Sequence, residues 1–182
     1  MNIFYLDNDP TLCAQQHVDK HCVKMILEYA QLLSTAHRVL DGTLVDGYSK
    51  TGRKQKRYVL SDSRDSILYS ATHINHPSAV WARKNVTNYK WLSKLLIELC
   101  KEYTHRYGKI HKVERDGLAS YLVSTHPVNI DGSIYFTEPT PAMPEIYRVP
   151  GNSLQSYHNY YNGDKVRMFS WKKRAVPYFF AK

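Results

Sequence analysis

Apolar side chains recur at helical spacing between residues 18 and 36. At about 100° of rotation per residue, one face of a helix would carry Val18, Cys22, Met25, Tyr29, Leu32 and Ala36. A polar line runs beside that face and contains His17, His21, Lys24, Glu28 and Thr35. The apolar face predicts a core contact. The polar line predicts either a solvated helix edge with an i,i+4 pair of Lys24 and Glu28, or a catalytic or binding face.

The same periodicity, read together with capping and breaking residues, predicts two long helices. The first covers residues 11–39, and the second starts at Pro77 or Ser78 and stops at Gly108. Shorter helices are predicted between a cap at Ser61 or Asp62 and Ala71, at about 112–124, from a cap at 152–153 to 161, and from 164 to about 173. We therefore predict a mainly α fold, in which residues 1–182 form one compact helical bundle around the two long helices.

Two segments interrupt this helical pattern. Residues 127–151 contain five prolines, which forbid long regular structure and predict an irregular strap on the surface. Residues 50–57 read KTGRKQKR, and this density of positive charge predicts a mobile basic loop that contacts phosphate. A solvated surface hairpin is the alternative interpretation of the loop.

Composition and charge narrow the class of protein. The chain has 182 residues, 43% of them hydrophobic, which is enough for one buried core. Lys and Arg number 25 against 16 Asp and Glu, so the net charge of +9 favours a polyanionic partner, with double-stranded DNA as the first candidate. No apolar run approaches the ~18 residues of a membrane span, and the first residues lack signal-peptide features. We expect a cytosolic protein with no membrane partner and no obligate protein partner.

Several kinds of site are disfavoured by the residue patterns. His17 and His21 share the HxxxH spacing of metal ligands, but Asp19 would point away from His21, so we expect no metal site. Nucleotide loops of the type GxxxxGK[ST] or GxGxxG do not occur, and no cofactor is expected. Cys22 and Cys100 fall on apolar helix faces, where a cysteine behaves as a small hydrophobe.

Candidate DNA contacts are spread along the chain. The tail WKKRAVPYFFAK interleaves aromatic and basic side chains, a mixture that suits backbone and base contacts, although a tail docked into the core is an equal alternative. The predicted DNA-binding residues are His17, Lys20, Arg53, Lys54, Lys56, Arg57, His73, His76, Arg83, Arg167, Trp171, Lys172, Lys173 and Arg174.

The order of these segments resembles a known family. The start MNIF, followed by Asp19-Lys20, Val23 and Glu28 on a long helix, resembles the pyrimidine-dimer DNA glycosylases of the endonuclease V type. AQQHV (14–18) is similar to the stretch ahead of that family's glutamate. NYKWLSKLLIELCKEYTHRYGK (88–109) is similar to its second long helix, and FSWKKRAVPYFF (169–180) to its aromatic, basic tail. The loop at 50–57 and the proline strap look like additions.

The resemblance implies a mostly helical DNA glycosylase with AP-lyase activity and without a metal. Its nucleophile is the α-amino group of the chain, here Met1, which attacks C1′ of a deoxyribose and forms a Schiff base before the strand is nicked. We expect Met1 to be retained because Asn2 is bulky. Glu28 matches the catalytic glutamate, and Lys24 with His21 completes the predicted catalytic set.

One departure from the family leaves the activity and the damaged base open. Leu27 stands where the family commonly has an arginine, and Lys24, one helical turn away, would replace it only as a point charge. A non-catalytic nucleic-acid-binding protein on the same scaffold is therefore one alternative. A base-modifying transferase, with the strap closing over a small co-substrate, is another.

Overall fold

The first predicted helix is broken in two. The computed structural model describes residues 1–48 and 51–180, and in it α1 (Pro10–Gln16) and α2 (Asp19–Asp41) are separated by His17 and Val18, which have extended backbone. The prediction of one continuous helix over 11–39 was wrong at this point. The break is stabilised by Arg106, whose guanidinium donates to the carbonyl oxygens of Gln15 and His17. His17 therefore does not belong to the polar line of α2.

The predicted mobile basic loop is part of a β-hairpin. β1 (Thr43–Tyr48) pairs antiparallel with β2 (Lys54–Val59), with Thr43 opposite Val59 and Tyr48 opposite Lys54. The surface-hairpin alternative is confirmed for the described part, while Ser49 and Lys50 lie outside the described residues. The β-branched and aromatic side chains Thr43, Val45, Tyr48, Tyr58 and Val59 favour this conformation.

The second predicted long helix is also interrupted. After a short α3 (Arg64–Ile67), the chain forms α4 (Pro77–Ala82) and then α5 (Val86–Tyr107). Asn85 starts α5 anew because its side chain accepts a hydrogen bond from the Asn88 amide. Gly108, with φ 64°, ends the helix as predicted.

The remaining elements are shorter than predicted. Gly117, at φ 81°, separates α6 (Lys112–Arg115) from α7 (Leu118–Ser124). The strap over 127–151 is irregular as predicted, apart from a 3₁₀ turn at Glu145–Tyr147. α8 (Ser153–Asp164) continues past the predicted stop at residue 161, and the predicted basic helix after it is reduced to a 3₁₀ turn at Val166–Met168.

One apolar core joins these elements, and the fold is mainly α, as predicted. α2 packs against α4, α5 and α7, while α1 packs against α5. The N-terminal segment Ile3–Leu6 is buried in the same core rather than lying on the surface. Among the helices of the described residues, none combines the length and the apolar character needed to cross a membrane.

Candidate active site

The chain terminus lies beside the middle of α2. The α-amine of Met1 is 3.9 Å from Oε2 of Glu28, and Nζ of Lys24 is 3.1 Å from Oε1 of the same carboxylate. The Glu28 side chain is 14% exposed and the Met1 side chain 5%, whereas Lys24 is 70% exposed. Three of the four predicted catalytic residues therefore meet, with one carboxylate between two amines at the edge of the core.

The position of the Met1 amine is set by the buried segment that follows it. The Phe4 amide donates to the Tyr29 hydroxyl over 3.1 Å, and the Phe4 carbonyl accepts from the Cys13 thiol over 3.2 Å. Nε2 of His158 donates to the Leu6 carbonyl over 2.8 Å. Because Tyr29 directly follows Glu28, a single hydrogen bond links the terminal segment to the turn of α2 that carries the carboxylate.

His17 belongs to the core that supports the site. Its Nδ1 donates to the Cys13 carbonyl over 2.7 Å, so its Nε2 accepts from the Tyr29 hydroxyl at 3.0 Å. Burial disfavours the charged ring and lowers the pKa of His17 to about 4. The ring is fully buried and neutral. The predicted DNA contact by His17 is therefore wrong, because its side chain cannot reach a ligand.

His21, the fourth predicted catalytic residue, also packs inward. Its ring stacks on Phe4 at a centroid distance of 4.0 Å, and its Nδ1 lies 2.8 Å from the Tyr161 hydroxyl. Burial is the main cause that lowers its pKa to about 3, and electrostatic interactions with the His17 ring and with the positive charges of Lys165 and Lys24 lower it further. The ring is neutral near pH 7, so His21 orients the terminal segment instead of supplying a positive charge.

The segment before α4 carries His76, whose ring feels the charges of the site. Burial is the main cause of the lowered pKa of His76, and the charge of the chain terminus adds to it while Glu28 opposes it. Nδ1 of His76 accepts from the Ser78 amide, which leaves the ring proton on Nε2. Thr35 of α2 anchors this segment, because its hydroxyl accepts from the Thr72 amide at 3.1 Å. His76 is half-buried and feels the charges of the Met1 amine and the Glu28 carboxylate, whereas His73 is exposed at φ 49°.

The C-terminal tail was predicted either to contact DNA or to dock into the core, and several of its side chains are docked. Trp171 is 8% exposed and donates from Nε1 to the Gln16 carbonyl, and Arg174 pairs with the buried Glu102 at 2.8 Å. Lys172 lies over the Tyr107 ring, and Lys173 donates from Nζ to the His105 carbonyl. Docking of Trp171 into the core is confirmed, and Arg174 is engaged in an ion pair within the protein.

The other predicted DNA contacts remain at the surface. Lys20 on α2, His73 and Arg167 are exposed, and Arg83 is half-buried with Nη1 donating to the Ile74 carbonyl over 2.7 Å. Exposed basic side chains on the hairpin are Arg53, Lys54, Lys56 and Arg57. These cations can meet phosphate without unfolding any part of the core.

Sequence reasoning missed three residues around the site. Tyr29 was assigned only to the core face, Lys165 was not singled out although its charge acts on His21, and Asn2 was considered only for its size. Among the described residues, the buried Oδ1 atom of Asn2 has no hydrogen-bond partner, so it is an acceptor beside the chain terminus. The only feature of the sequence that could have indicated a role for Asn2 was its position next to Met1.

Neither a search for metal-binding clusters nor a comparison with known proteins assigns a function to this site. Within the part of the chain that the structure describes, no three His, Cys, Asp or Glu side chains are grouped to hold a metal ion. Comparison of the chain with known protein families, with curated proteins and with solved structures gives no match. The functional argument therefore depends on the geometry of the residues themselves.

Proposed function

We propose that the protein is a DNA glycosylase with AP-lyase activity, in which the α-amine of Met1 is the nucleophile and Glu28 the acid and base. The observation that carries the proposal is the 3.9 Å separation of the Met1 amine and the Glu28 carboxylate. These groups are 27 positions apart in sequence, and a buried set of hydrogen bonds holds the segment between them. Pairing an amine with a proton-transfer group is the arrangement that Schiff-base chemistry requires.

In the first step, the neutral amine attacks C1′ of a deoxyribose and the bond from C1′ to the base breaks. The base leaves with the bonding electron pair and takes up the proton that the amine loses. The sugar ring then opens as the C1′–O4′ bond breaks and O4′ is protonated, which leaves a protonated Schiff base between Met1 and C1′. Loss of a proton from C2′ expels the phosphate at C3′ and nicks the strand, and water later releases the amine.

Glu28 is the proton carrier in this scheme, and its charge stabilises the cationic sugar. Lys24 holds the carboxylate at 3.1 Å and exposes its own side chain, so it can also contact the neighbouring phosphate. His76 carries its ring proton on Nε2 and feels the charges of the same pair. The net charge of +9 and the exposed cations of the hairpin supply the attraction for the DNA backbone.

Borohydride trapping tests the proposal. The tag-free protein, shown by intact mass to begin at an unblocked Met1, is incubated with duplexes that are undamaged, damaged or abasic, and borohydride then fixes any Schiff base. We expect a covalent adduct that disappears on N-terminal acetylation and that forms about 10²–10⁴-fold more slowly with Glu28→Gln. Glu145→Gln is the matched control, because Glu145 is 83% exposed and belongs to the strap. No adduct on any duplex, with binding intact, would exclude the proposal.

A non-catalytic DNA-binding protein is the second candidate. The observation that favours it is Leu27, which is 41% exposed on the surface next to Lys24, where an arginine would contact phosphate bidentately. This candidate predicts salt-sensitive binding that survives both acetylation and Glu28→Gln, without any trapped adduct.

A further inference from the structure

A cavity lies between the hairpin and the segment that follows α3. Its volume is about 490 Å³, within the range of about 300–1,000 Å³ typical of ligand pockets. One wall of the cavity is formed by the hairpin, which supplies the aromatic rings of Tyr48 and Tyr58 and the positive charges of Lys56 and Arg57. The opposite wall is formed by the segment 70–74, including Ser70 and Ile74. None of the sequence arguments predicted this cavity, because its two walls are distant in the chain.

The hairpin register places the aromatic and basic groups side by side. Tyr48 pairs with Lys54, and Lys56 and Tyr58 follow at intervals of two, so all of these side chains project from one face of the hairpin. Tyr48 is 69% exposed and therefore offers a free ring surface. Aromatic rings beside cations are the combination that binds a nucleotide, since the base stacks on a ring and the phosphate meets an ammonium group.

Arg38 fixes both walls of the cavity. Its buried guanidinium donates to the Tyr58 carbonyl at 3.0 Å on the hairpin side, and to the Leu68 and Tyr69 carbonyls at 2.8 and 2.6 Å on the other side. The same guanidinium pairs with Asp65 at 2.6 Å. The cavity is therefore preorganised by the core and does not depend on a mobile loop, which lowers the entropic cost of binding.

The cavity is also connected to the candidate active site. The segment 70–74, which forms its inner wall, continues along the chain to His76, which feels the charge of the Met1 amine, and Thr72 of this segment is hydrogen-bonded to Thr35 of α2. Thr35 and Glu28 are seven residues apart on the same helix, which is about 10.5 Å at 1.5 Å per residue. DNA advances about 3.4 Å per nucleotide along one strand, so this span corresponds to roughly three nucleotides.

We propose that this cavity binds one nucleotide of the DNA strand, a few positions from the sugar that lies at Met1. The base stacks against Tyr48, the neighbouring Lys56 contacts its phosphate, and Tyr58 lines the far end of the cavity. The inference depends on the proposed function for its ligand and its place along the strand, whereas the cavity itself is a separate observation. In this arrangement the hairpin fixes the position of the DNA strand relative to the Met1 amine.

Binding of a duplex that cannot be cleaved tests this assignment. The duplex carries a tetrahydrofuran abasic analogue, and the fluorescent base 2-aminopurine is placed at each of the four positions on either side of it. We expect one position whose fluorescence is quenched on binding, with the quenching lost in Tyr48→Ala and retained in Tyr48→Phe. Affinity should fall between about fivefold and a hundredfold for Tyr48→Ala, as for other stacking aromatics. Tyr135→Ala, which removes a tyrosine that is 52% exposed on the strap, is the control and should leave affinity and quenching unchanged.

The outcomes separate this inference from the proposed function. A trapped borohydride adduct together with unchanged affinity and quenching in Tyr48→Ala, Tyr58→Ala and Lys56→Gln would overturn the nucleotide site and leave the glycosylase proposal standing. Loss of affinity and of position-specific quenching in these variants, without any adduct, would support the cavity as a nucleotide site and refute the glycosylase. Uniform quenching at all eight positions would refute a single-nucleotide site.

Discussion

The Phe4 amide donates a hydrogen bond to the hydroxyl of Tyr29, 3.1 Å away, and the same hydroxyl lies 3.0 Å from Nε2 of His17. Tyr29, the residue that follows Glu28, thereby joins the terminal segment to the break between the first two helices. Each of the three groups is fully or almost fully buried, so none of them can exchange its partner for water.

Tyr29→Phe should lower both stability and the proposed reaction rate. The substitution leaves the Phe4 amide and Nε2 of His17 without partners, at a cost of about 1–3 kcal/mol for each buried group. It also releases the segment that positions the amine. Urea denaturation measures the first effect and the rate of borohydride trapping the second.

Tyr89→Phe is the matched control for this variant. The buried Tyr89 hydroxyl lies 2.9 Å from Nε2 of His37 and 3.3 Å from the Leu122 carbonyl, so it also serves two partners, but away from the chain terminus. We expect a similar loss of stability with an unchanged trapping rate in the remaining folded protein. Equal losses of rate in both variants would show that Tyr29 has no specific positioning role.

Stability should fall as the pH is lowered from 6.5 towards 4. Burial lowers the pKa of His17 to about 4, of His21 to about 3 and of His37 to about 4, from the ordinary value of 6.5. Within this window the unfolded chain binds protons that the folded chain excludes, so each ring contributes a slope of up to about 1.4 kcal/mol per pH unit. Urea denaturation at half-unit steps of pH measures the slope, and a constant unfolding free energy between pH 6.5 and 4 would contradict neutral buried rings.

Glu102→Gln should be among the most destabilising single changes. Arg106 is fully buried, and Glu102 pairs with it at 2.6 Å and with Arg174 at 2.8 Å, which compensates the burial of the carboxylate and lowers its pKa. Removing one partner of such a buried pair typically costs about 3–5 kcal/mol. Thermal and urea unfolding measure the loss. The exposed Glu145→Gln variant should change stability by no more than about 0.5 kcal/mol, and an equal effect of the two would contradict the buried network.

Removal of hairpin charge should flatten the salt dependence of DNA binding. A triple variant with Lys54, Lys56 and Arg57 changed to Gln loses exposed cations, and each lost phosphate contact lowers the slope of log affinity against log salt by about 0.9. A reduction of about 2–3 is expected from titrations at several salt concentrations.

The control for the hairpin variant is a second triple variant on α5. Lys90, Lys94 and Lys101 are exposed on that helix. Changing these to Gln alters the net charge of the protein by the same amount. If both variants flatten the slope equally, then overall charge drives binding and the hairpin has no specific contact.

The sequence by itself determined the helical class of the fold and the chemistry within one helix. Periodicity sets the apolar face of α2, and the i,i+4 spacing brings Lys24 within 3.1 Å of Glu28, because both depend on 3.6 residues per turn alone. Gly108 likewise stops α5 through its own backbone preference. Such features can be predicted from the sequence because they depend only on the geometry of neighbouring residues in one helix.

The tertiary structure decided where the first long helix breaks and what meets at its centre. The carbonyl oxygens at the break are satisfied by Arg106, 89 positions away from His17, and Met1 reaches Glu28 only because Ile3–Leu6 is buried in the core. The hairpin cavity exists because Arg38 binds both of its walls. Buried polar groups must find partners wherever the fold supplies them, and these partners are distant in sequence, so no local pattern of residues encodes them.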